Sequence, residues 1–328
     1  MKDRRETLLK FAHLHCHTEY SLLDGSNKIK AYVARVKELG MDAAAITDHG
    51  VMYGVIDFYK ECKAQGIRPI LGCEVYVAPG SRFDREPGQS DARYYHLILL
   101  AENNQGYENL TKIVSAGFLD GYYYKPRVDK EILRAYHEGI IASSACLAGE
   151  VARDLSNGLY EEAKAAALEY QDIFGKDHFY LELQDHGLDE QKQVNAGLLR
   201  LSKETGIGLI ATNDCHYTRA EDAEAHDVLL CIQTGKKVSD EDRMRYPGGQ
   251  FYVKSPEEMA ALFPYAPEAI ENTEKIAQRC SVEIEFGHTK LPKFDVPDGK
   301  TSKQYLEGSV RRDWRSAITR SRRSFRSG

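Results

Sequence analysis

The stretch His13-Leu14-His15-Cys16-His17-Thr18-Glu19-Tyr20-Ser21-Leu22-Leu23-Asp24-Gly25 decides the fold and carries the first chemical signal. Side chains of a β-strand alternate between its two faces, so His13, His15 and His17 are predicted to project to one side. A hydrophobic core has little reason to hold three imidazoles on one face. We therefore interpret the stretch as a strand that supplies metal ligands.

Length and composition are those of an ordinary soluble globular protein. The chain has 328 residues, of which 42% are hydrophobic and 29% charged, enough for one large domain or one domain with an appendage. No apolar run approaches the roughly 20 residues that a helix needs to cross a bilayer, and the first six residues are too polar to open a signal peptide. We therefore expect a cytoplasmic protein without a membrane partner.

The seven cysteines indicate a reducing compartment. Their number is odd, they are widely scattered, and no C-x-x-C pair occurs. Neither a disulfide framework nor a zinc ribbon fits this pattern, so the thiols are expected to be reduced.

Charge is unevenly distributed along the chain. The formal net charge is −6, but residues 309–328 contain seven arginines and one aspartate, which leaves residues 1–308 at −12. Affinity for phosphate backbones comes mostly from Lys and Arg, so such an acidic body binds nucleic acid poorly without local help. A nucleic-acid substrate would have to be held by metals and a few basic side chains, or by something that this chain lacks.

Composition and turn residues predict three segments. Residues 1–285 form a metal-binding domain, and residues 286–308, which contain prolines and glycines, form a linker leaving it. Residues 309–328 are rich in Arg and Ser without periodicity. We expect them to be disordered or foreign to the domain, with a nucleic-acid-binding arm as the alternative.

Strand-like apolar runs alternate with helical patterns through most of the chain. Seven strands are predicted, at residues 11–15, 43–47, 67–77, 95–101, 139–144, 179–183 and 207–213. Further helices follow after residue 217. No G-x-G-x-x-G follows the first strand, which disfavours a dinucleotide-binding sheet. The predicted fold class is α/β, a distorted seven-stranded TIM-like (β/α)7 barrel with extra C-terminal helices.

Residues of the types that bind transition metals fall repeatedly at the carboxyl ends of the predicted strands, where barrel enzymes place their chemistry. They are His15, His17, Asp24, Asp48, His49, Glu74, Cys146, Asp214 and His216. His96 opens its strand instead of closing it. If it is a ligand, that strand must run antiparallel to its neighbours; otherwise His96 is a surface residue.

Each of these residues also has an ordinary structural explanation. An H-x-H pair occurs by chance, Cys146 is a small buried hydrophobe by default, and Asp48-His49-Gly50 could be a turn. Their joint occurrence at independent strand ends is much harder to dismiss. More than four ligands imply more than one ion, and clustered divalent ions about 4 Å apart suit phosphoester hydrolysis.

The motifs together resemble those of the PHP (polymerase and histidinol phosphatase) superfamily. They are His15-Cys16-His17, Thr47-Asp48-His49-Gly50, Gly72-Cys73-Glu74, Tyr95-His96-Leu97 and Asn213-Asp214-Cys215-His216. The opening stretch, Ala101-Glu102-Asn103 with Gly106-Tyr107-Glu108-Asn109-Leu110, and Tyr180-Leu181-Glu182-Leu183-Gln184-Asp185-His186-Gly187 resemble specifically the PHP domains of bacterial DNA polymerase III alpha subunits. The resemblance covers about residues 8–307.

The resemblance implies a centre of three divalent ions, zinc, manganese, iron or magnesium. One ion would bind His15, His17, Glu74 and Asp214; a second Glu74, His96 and Cys146; a third Asp24, His49 and His216. Asp214, His216 and His186 are the predicted catalytic residues, although His186 could equally be a hydrogen-bonded loop histidine. Lys125 and Arg127 could grip a phosphate or form a solvated pair, and His13 is expected to orient its neighbours.

Three functions are compatible with these residues. The first is a 3′–5′ exonuclease that proofreads DNA 3′ ends. The second is a metal-stabilised scaffold of the polymerase that binds a proofreading subunit, and the third is a small-molecule phosphatase resembling histidinol phosphatase. The resemblance implies as partners the DNA end, the remainder of a polymerase chain beyond the linker, and a proofreading or clamp subunit. Polymerisation itself is not expected, because the resemblance stops before the polymerase palm.

Overall fold

The computed structural model describes residues 9–85, 93–289, 291–292 and 294–324. The chain divides into two units, Met1–Glu283 and Ile284–Gly328. The first unit ends within two residues of the position where the sequence analysis placed the end of the metal-binding domain. Within the described residues, no helix is both long enough and apolar enough to span a membrane.

Strands and helices alternate through the first unit. The strands are β1 (Ala43–Ile46), β2 (Arg68–Val77), β3 (Tyr95–Ala101), β4 (Tyr122–Tyr123), β5 (Lys125–Val128), β6 (Ile140–Ser143), β7 (Phe179–Leu183) and β8 (Gly208–Ala211). The helices are α1 (Ile29–Glu38), α2 (Val55–Gln65), α3 (Asn104–Leu119), α4 (Lys130–Ala135), α5 (Glu150–Ser156), α6 (Tyr160–Phe174), α7 (Asp189–Thr205), α8 (Ala223–Thr234), α9 (Pro256–Leu262) and α10 (Pro267–Arg279). This is the α/β alternation that the sequence predicts.

One curled sheet forms the centre of this unit. Its strand order is β4-β5-β2-β3-β6-β7-β8, and β1 pairs with β2. Strand β3 runs antiparallel to both β2 and β6, whereas β1–β2, β6–β7 and β7–β8 are parallel pairs. The reversed direction of β3 confirms the condition set for His96, because it brings the first residues of that strand to the end of the barrel where its parallel neighbours finish.

The opening stretch closes the sheet into a barrel. On one side of the extended segment 13–17, the Thr47 amide donates to the Cys16 carbonyl at 2.9 Å. On the other side, the His17 amide donates to the Cys215 carbonyl at 2.8 Å. The segment therefore joins β1 to the residues after β8, and the ring contains this segment, β1, β2, β3, β6, β7 and β8. The predicted seven-membered TIM-like barrel is confirmed.

The first predicted strand differs from expectation in its side-chain pattern. The chain bends at His15, so His13 does not share a face with His15 and His17. Its ring instead lies against the Lys254 carbonyl, 2.9 Å from Nε2, and against the Cys215 thiol, 3.4 Å from Nδ1. The prediction of three imidazoles on one face is therefore wrong, because regular strand alternation does not survive the bend.

The interior of the barrel changes from apolar to polar along its axis. On β2, Ile70 and Glu74 share a face, and on β3, Ile98 shares a face with His96. The apolar layer is Ala12, Leu14, Ala43, Ala45, Ile70, Ile98, Leu100, Ile141, Ala145, Ile210, Ile276, Ala277 and Cys280. The last three belong to α10 and the residue after it, so this helix packs against the apolar layer. The polar layer above it is where the predicted ligands lie.

The second unit contains one long helix, α11 (Ser302–Ser324), where the sequence analysis expected linker residues and a disordered tail. Leu306, Val310 and Trp314 recur every four residues, which places them along one face of a helix. Arg, Lys and Gln favour a helix, and no proline follows residue 297. The structure thus differs from the expectation at residues 302–324, because this short repeat was hidden by the Arg-rich composition.

Candidate metal centre

Nine side chains that the sequence predicts as metal ligands converge at the polar end of the barrel. They are His15 and His17 on the closing segment, Asp24 in the loop after it, His49 after β1, Glu74 in β2, His96 in β3, Cys146 after β6, and Asp214 and His216 after β8. They come from distant parts of the chain, and barrel closure brings them together.

Two histidines and two carboxylates form the innermost group. Asp214 Oδ1 lies 3.1 Å from His15 Nε2 and 3.2 Å from His17 Nε2. The two oxygens of Glu74 each lie 3.4 Å from one of these nitrogens. The His15 and Glu74 side chains are fully buried. These four side chains could hold one ion.

Glu74 also faces a second group on the opposite side. His96 Nδ1 lies 2.9 Å from Glu74 Oε1, and the Cys146 sulfur lies 3.7 Å from that nitrogen and 3.9 Å from the same oxygen. An imidazole, a thiol and a shared carboxylate are ligands that zinc or iron accept. This group could hold a second ion, with Glu74 bridging.

A third group lies at the mouth of the barrel. Asp24 Oδ2 is 2.7 Å from His49 Nε2 and 3.7 Å from His216 Nε2. The other nitrogen of His49 lies 2.6 Å from Glu74 Oε2, so His49 spans the second and third groups. His17 stacks on both His49 and His216, with ring centroids 4.0 and 4.4 Å apart. The three groups therefore form one continuous cluster.

Several ligand-type atoms in this cluster are buried without a hydrogen-bond partner. In the part of the chain that the structure describes, these include His49 Nδ1, Glu74 Oε2 and Asp214 Oδ1. An unpaired buried polar atom costs about 1–3 kcal/mol, so its repeated occurrence in one place requires an explanation. Divalent cations bound in this cluster would satisfy these atoms, and the donor set therefore fits metal ions.

Electrostatics in the cluster favour bound cations. Burial alone would raise the pKa of Glu74, but the imidazoles of His96 and His49 outweigh it and hold that pKa well below its usual range. Burial, reinforced by Glu74, raises the pKa of the Cys146 thiol well above its ordinary value. A nearby cation reverses this effect on a thiol, because it stabilises the thiolate.

Glu182 on β7 supports the innermost group, and sequence reasoning missed it. Its Oε1 accepts from His15 Nδ1–H at 2.7 Å, which leaves Nε2 of that ring to face the centre. The hydroxyls of Ser143 and Thr212 each donate to Glu182 at 2.5 Å, and Gln184 donates at 2.9 Å. The available signal was a charged residue between the apolar Leu181 and Leu183 of a buried strand.

Asp48 orients His17 through a hydroxyl. Its Oδ1 accepts from the Thr18 amide at 2.6 Å and from the Ser21 hydroxyl at 2.7 Å. The Ser21 oxygen in turn lies 3.0 Å from His17 Nδ1. Asp48, which the sequence analysis grouped with the ligand-type residues, thus lies behind the centre and fixes the loop that enters it.

Tyr246 and His226 are two further residues that the sequence did not single out for the site. The Tyr246 hydroxyl lies 3.3 Å from both Asp24 Oδ1 and His216 Nε2. His226 Nε2 donates to the Asp24 carbonyl at 2.7 Å. Tyr246 lies in a charged loop between α8 and α9, where no pattern marks it.

His186 is placed differently from its predicted catalytic role. Gln191 Nε2 lies 2.7 Å from its Nδ1, the Asn213 carbonyl lies 3.0 Å from its Nε2, and the ring stacks on Phe251 at 3.7 Å. Burial lowers its pKa to about 4. Neither nitrogen is left to exchange a proton with a substrate, so these contacts support a positioning role for His186 beside Asp214.

The two basic residues considered as phosphate ligands separate in the structure. Lys125 lines the cavity outside the centre, with its ammonium group 5.3 Å from the Tyr76 ring centroid. Arg127 is buried, and its guanidinium donates to backbone carbonyls, including that of Gly121, and stacks over Tyr123. Only Lys125 is positioned to meet a substrate; Arg127 is structural.

Asp214 adopts a backbone conformation that side-chain-bearing residues rarely take. Its φ is 43°, in the left-handed region. Such a conformation costs on the order of 1 kcal/mol and concentrates at functional sites. It directs the Asp214 carboxylate inward while the carbonyl accepts a hydrogen bond from His216 Nδ1 at 2.8 Å.

Fold and centre together define a class of protein: an α/β barrel whose mouth gathers imidazole, carboxylate and thiol groups able to hold several divalent cations. The family model described as the PHP domain matches residues 13–186. The chain belongs to this family, and the resemblance found in the sequence is confirmed.

Curated proteins similar to this chain include alpha subunits of DNA polymerase III. The chain is 48% identical to DNA polymerase III subunit alpha of Treponema pallidum over 297 residues, covering 90% of this chain and 25% of that protein. It is 46% identical to the same subunit of Thermus aquaticus over 307 residues, covering 91% and 25%. The chain thus spans about a quarter of the length of the curated relatives it matches.

A solved structure from Bifidobacterium adolescentis, described as a metal-dependent phosphoesterase, is also similar. It shares 14% identity at a TM-score of 0.42, covering 77% of this chain and 96% of that chain. A likeness at this level adds nothing to the family assignment.

Proposed function

We propose that this chain is a metal-dependent phosphoesterase that removes nucleotides from DNA 3′ ends, a 3′–5′ exonuclease that proofreads for a bacterial replicative polymerase. The observation that carries the proposal is the convergence of nine ligand-type side chains around Glu74 and Asp214, beside an open cavity of about 660 Å³. The polymerase subunits among its relatives support DNA as the substrate.

We infer three divalent ions in this centre. Their proposed ligands are His15, His17, Glu74 and Asp214 for the first, Glu74, His96 and Cys146 for the second, and Asp24, His49 and His216 for the third. Thiolate and imidazole favour zinc or iron, and the aspartates also accept manganese or magnesium.

Bound divalent ions would supply Lewis acidity and a water of lowered pKa. The protein's own groups prepare the site for this chemistry. His216 Nδ1 donates to the Asp214 carbonyl, so its Nε2 faces the mouth, beside the hydroxyl of Tyr246. The ammonium group of Lys125 can neutralise a backbone phosphate in the adjoining cavity. We assign the catalytic roles to Asp214 and His216.

The test uses 3′-labelled single-stranded DNA. Asp214→Asn removes a carboxylate shared by two histidines and should lower cleavage at least about 100-fold, with a matching loss of bound metal. Asp189→Asn, an exposed aspartate at the start of α7, is the matched control and should cleave as the wild type does. Equal cleavage by wild type, Asp214→Asn and chelator-treated protein would refute the proposal.

Two other outcomes would assign the centre differently. Bound metal without hydrolysis, and a large loss of melting temperature on chelation, would favour the metal-stabilised scaffold that binds a proofreading subunit, since a ligand bound only by the native state stabilises it by mass action. Hydrolysis of histidinol phosphate or an aryl phosphate in preference to DNA would favour the small-molecule phosphatase.

The relatives also suggest a setting for this activity. We propose that residues 1–285 form the phosphoesterase module and that residues 286–308 lead toward the remainder of a polymerase chain. A proofreading or clamp subunit would bind nearby. The module would then act in the bacterial cytoplasm, where replication takes place.

A further inference from the structure

The cavity outside the metal centre has an aromatic wall that hydrolysis of a phosphoester alone does not require. Asp24, His49, His96 and Tyr246 form its floor. Its walls are Tyr20, Tyr53, Tyr76, Tyr94, Phe118, Tyr122, Tyr124 and Lys125, among other residues. A small phosphate ester would occupy the floor and leave most of this wall without contact.

Three tyrosines of the wall are turned outward. Tyr53, Tyr122 and Tyr124 are 58%, 55% and 61% exposed, whereas Tyr76 is only 4% exposed and packs inside the wall. A group of exposed aromatic rings beside a cavity is typical of a ligand-binding surface. Tyr53 lies just before α2, Tyr122 in β4 and Tyr124 in the β4–β5 turn, and all three rings line the cavity.

Positive charge accompanies these rings in an otherwise acidic chain. The Arg93 guanidinium lies 4.5 Å from the Tyr124 ring centroid, and Lys125 lies over Tyr76. Aromatic rings interleaved with cations are the chemistry by which proteins hold unpaired nucleic acid, since bases stack on the rings and phosphates meet the cations. Residues 1–308 carry a formal charge of −12, so such a local arrangement is needed to bind a polyanion.

We propose that Tyr53, Tyr122 and Tyr124 form a stacking surface for the bases of an unpaired DNA 3′ end, and that this surface selects single-stranded over paired ends. The inference rests on the proposed nuclease function and deepens it. Bases in a duplex have both faces covered by their neighbours and cannot stack on the protein. A frayed or mismatched end exposes its bases and can enter the cavity.

An adjoining apolar groove marks the limit of this surface. It is lined by Met52, Val114, Leu119 and other residues, and it shares Val51, Tyr53 and Phe118 with the cavity. A protein partner could cover these apolar side chains. The cavity itself differs because its floor is the metal centre and its rim carries cations, which favours nucleic acid as its occupant.

The test is a binding measurement on the metal-loaded chain. The probe is a fluorescent oligothymidylate of about 12 nucleotides whose 3′-terminal linkages are phosphorothioates, so that it resists cleavage. A second probe replaces its last three bases with abasic sites. The variants are Tyr53→Ala and Tyr122→Ala, with Tyr122→Phe to keep the ring and Tyr265→Ala as a control at an exposed tyrosine outside the cavity.

Stacking predicts a specific pattern of affinities. Each alanine variant should bind the normal probe roughly 5- to 100-fold more weakly, because one base–ring stack is lost. Tyr122→Phe and Tyr265→Ala should bind as the wild type does. The wild type should discriminate against the abasic probe, and the alanine variants should lose part of that discrimination.

The outcomes separate this inference from the proposed function. If the alanine variants bind both probes as the wild type does, or if Tyr122→Phe is as weak as Tyr122→Ala, the stacking surface is refuted even when DNA is hydrolysed. If base-dependent binding follows the predicted pattern but no phosphoester is hydrolysed, the nuclease proposal fails and the stacking surface stands.

Discussion

Glu182 shows how much of the centre depends on a residue that is not itself a proposed ligand. Every neighbour of its carboxylate is a donor: His15, Ser143, Thr212 and Gln184. If an amide replaced the Glu182 carboxylate, its NH2 group would face other hydrogen-bond donors. The buried groups left unpaired would lower stability by about 1–3 kcal/mol. The amide would also weaken the hydrogen bond that keeps the proton on His15 Nδ1.

We therefore expect Glu182→Gln to lower metal affinity about 10- to 100-fold and to destabilise the metal-loaded protein. Metal titration and urea unfolding measure the two effects. Glu204→Gln, which removes an exposed ion pair with Lys164 and Arg200, should change stability by less than about 1 kcal/mol. Unaltered metal affinity in Glu182→Gln would show that His15 does not need this partner.

Lys254 is a buried cation, and its titration should make the free energy of unfolding depend on pH. It is 3% exposed, its ammonium group contacts the Gln250 carbonyl and Asn213 Oδ1, and burial lowers its pKa to about 8. The unfolded chain titrates near pH 10.4, so between these values the unfolded state binds more protons and stability rises with pH. Below pH 8, Lys254 is charged in both the folded and the unfolded state. Burial of this charge then lowers the free energy of unfolding by the full amount of about 3 kcal/mol.

The measurement is the difference in unfolding free energy between wild type and Lys254→Met from pH 7 to pH 11. Taking the difference removes the contribution of the buried thiols, which titrate in the same range once the chain is unfolded. Between pH 8 and 10.5, we expect the unfolding free energy of the wild type to rise by about 3 kcal/mol relative to that of Lys254→Met. A flat difference would mean that Lys254 keeps an ordinary pKa in the fold.

At the scale of single residues, the sequence indicated candidate metal ligands more readily than it indicated the residues that support them. His15, His49 and Asp214 have metal-binding side chains at the ends of predicted strands, so residue type and position suffice to propose them as ligands. Glu182 supports His15 only because β7 lies between β6 and β8 in the closed sheet, which no local pattern reveals. His13 failed as a prediction because the chain bends two residues later.

Among the elements, β3 shows that a chemical requirement can predict topology. His96 lies at the start of its strand, so its participation in the centre required an antiparallel strand, and the pairing with β2 and β6 confirms this. The β4–β5 hairpin was missed. It pairs over two residues and contains Pro126, which sequence patterns treat as evidence against a strand.

The short helix α4 depends on a buried ion pair at its first turn. The Asp129 side chain accepts from the Ile132 amide at 3.0 Å as the N-cap and from the Arg82 amide at 2.8 Å. Arg82 Nη1 also donates to Asp129 Oδ1 at 3.0 Å, and both side chains are largely buried. The residue thus fixes helix α4 and the loop after β2 together.

We expect Asp129→Ala to cost about 3 kcal/mol or more, because it removes a helix cap and leaves the Arg82 guanidinium with only distant partners. Asp129→Asn keeps the capping oxygen and should cost less. Glu131→Ala removes an exposed carboxylate 3.6 Å from the same guanidinium and should be nearly neutral. Urea unfolding checks this order, and equal costs for Asp129→Ala and Glu131→Ala would contradict it.

At the scale of the barrel, the metal centre lies across the seam where the sheet closes. His15 and His17 belong to the closing segment, and Asp214 follows β8, so the innermost group joins the first and last members of the ring. The seam has few hydrogen bonds of its own: Cys16 pairs with Cys215 as an isolated bridge. An ion held by both sides would therefore strengthen this junction of the barrel.

Removing the metal should then loosen the seam before the rest of the sheet. Without a cation, the link that an ion makes between His15 and His17 on the closing segment and Asp214 after β8 is lost. We expect chelation to accelerate amide hydrogen exchange at His17 and Cys215 by about 10-fold or more, corresponding to about 1.4 kcal/mol of local stability. Amides shared by β3 and β6 should change much less, because that ladder lies on the opposite side of the ring from the seam. Exchange measured by mass spectrometry on chelated and metal-restored protein tests this. A uniform change across all strands would mean that the ions stabilise the barrel as a whole and not its closure.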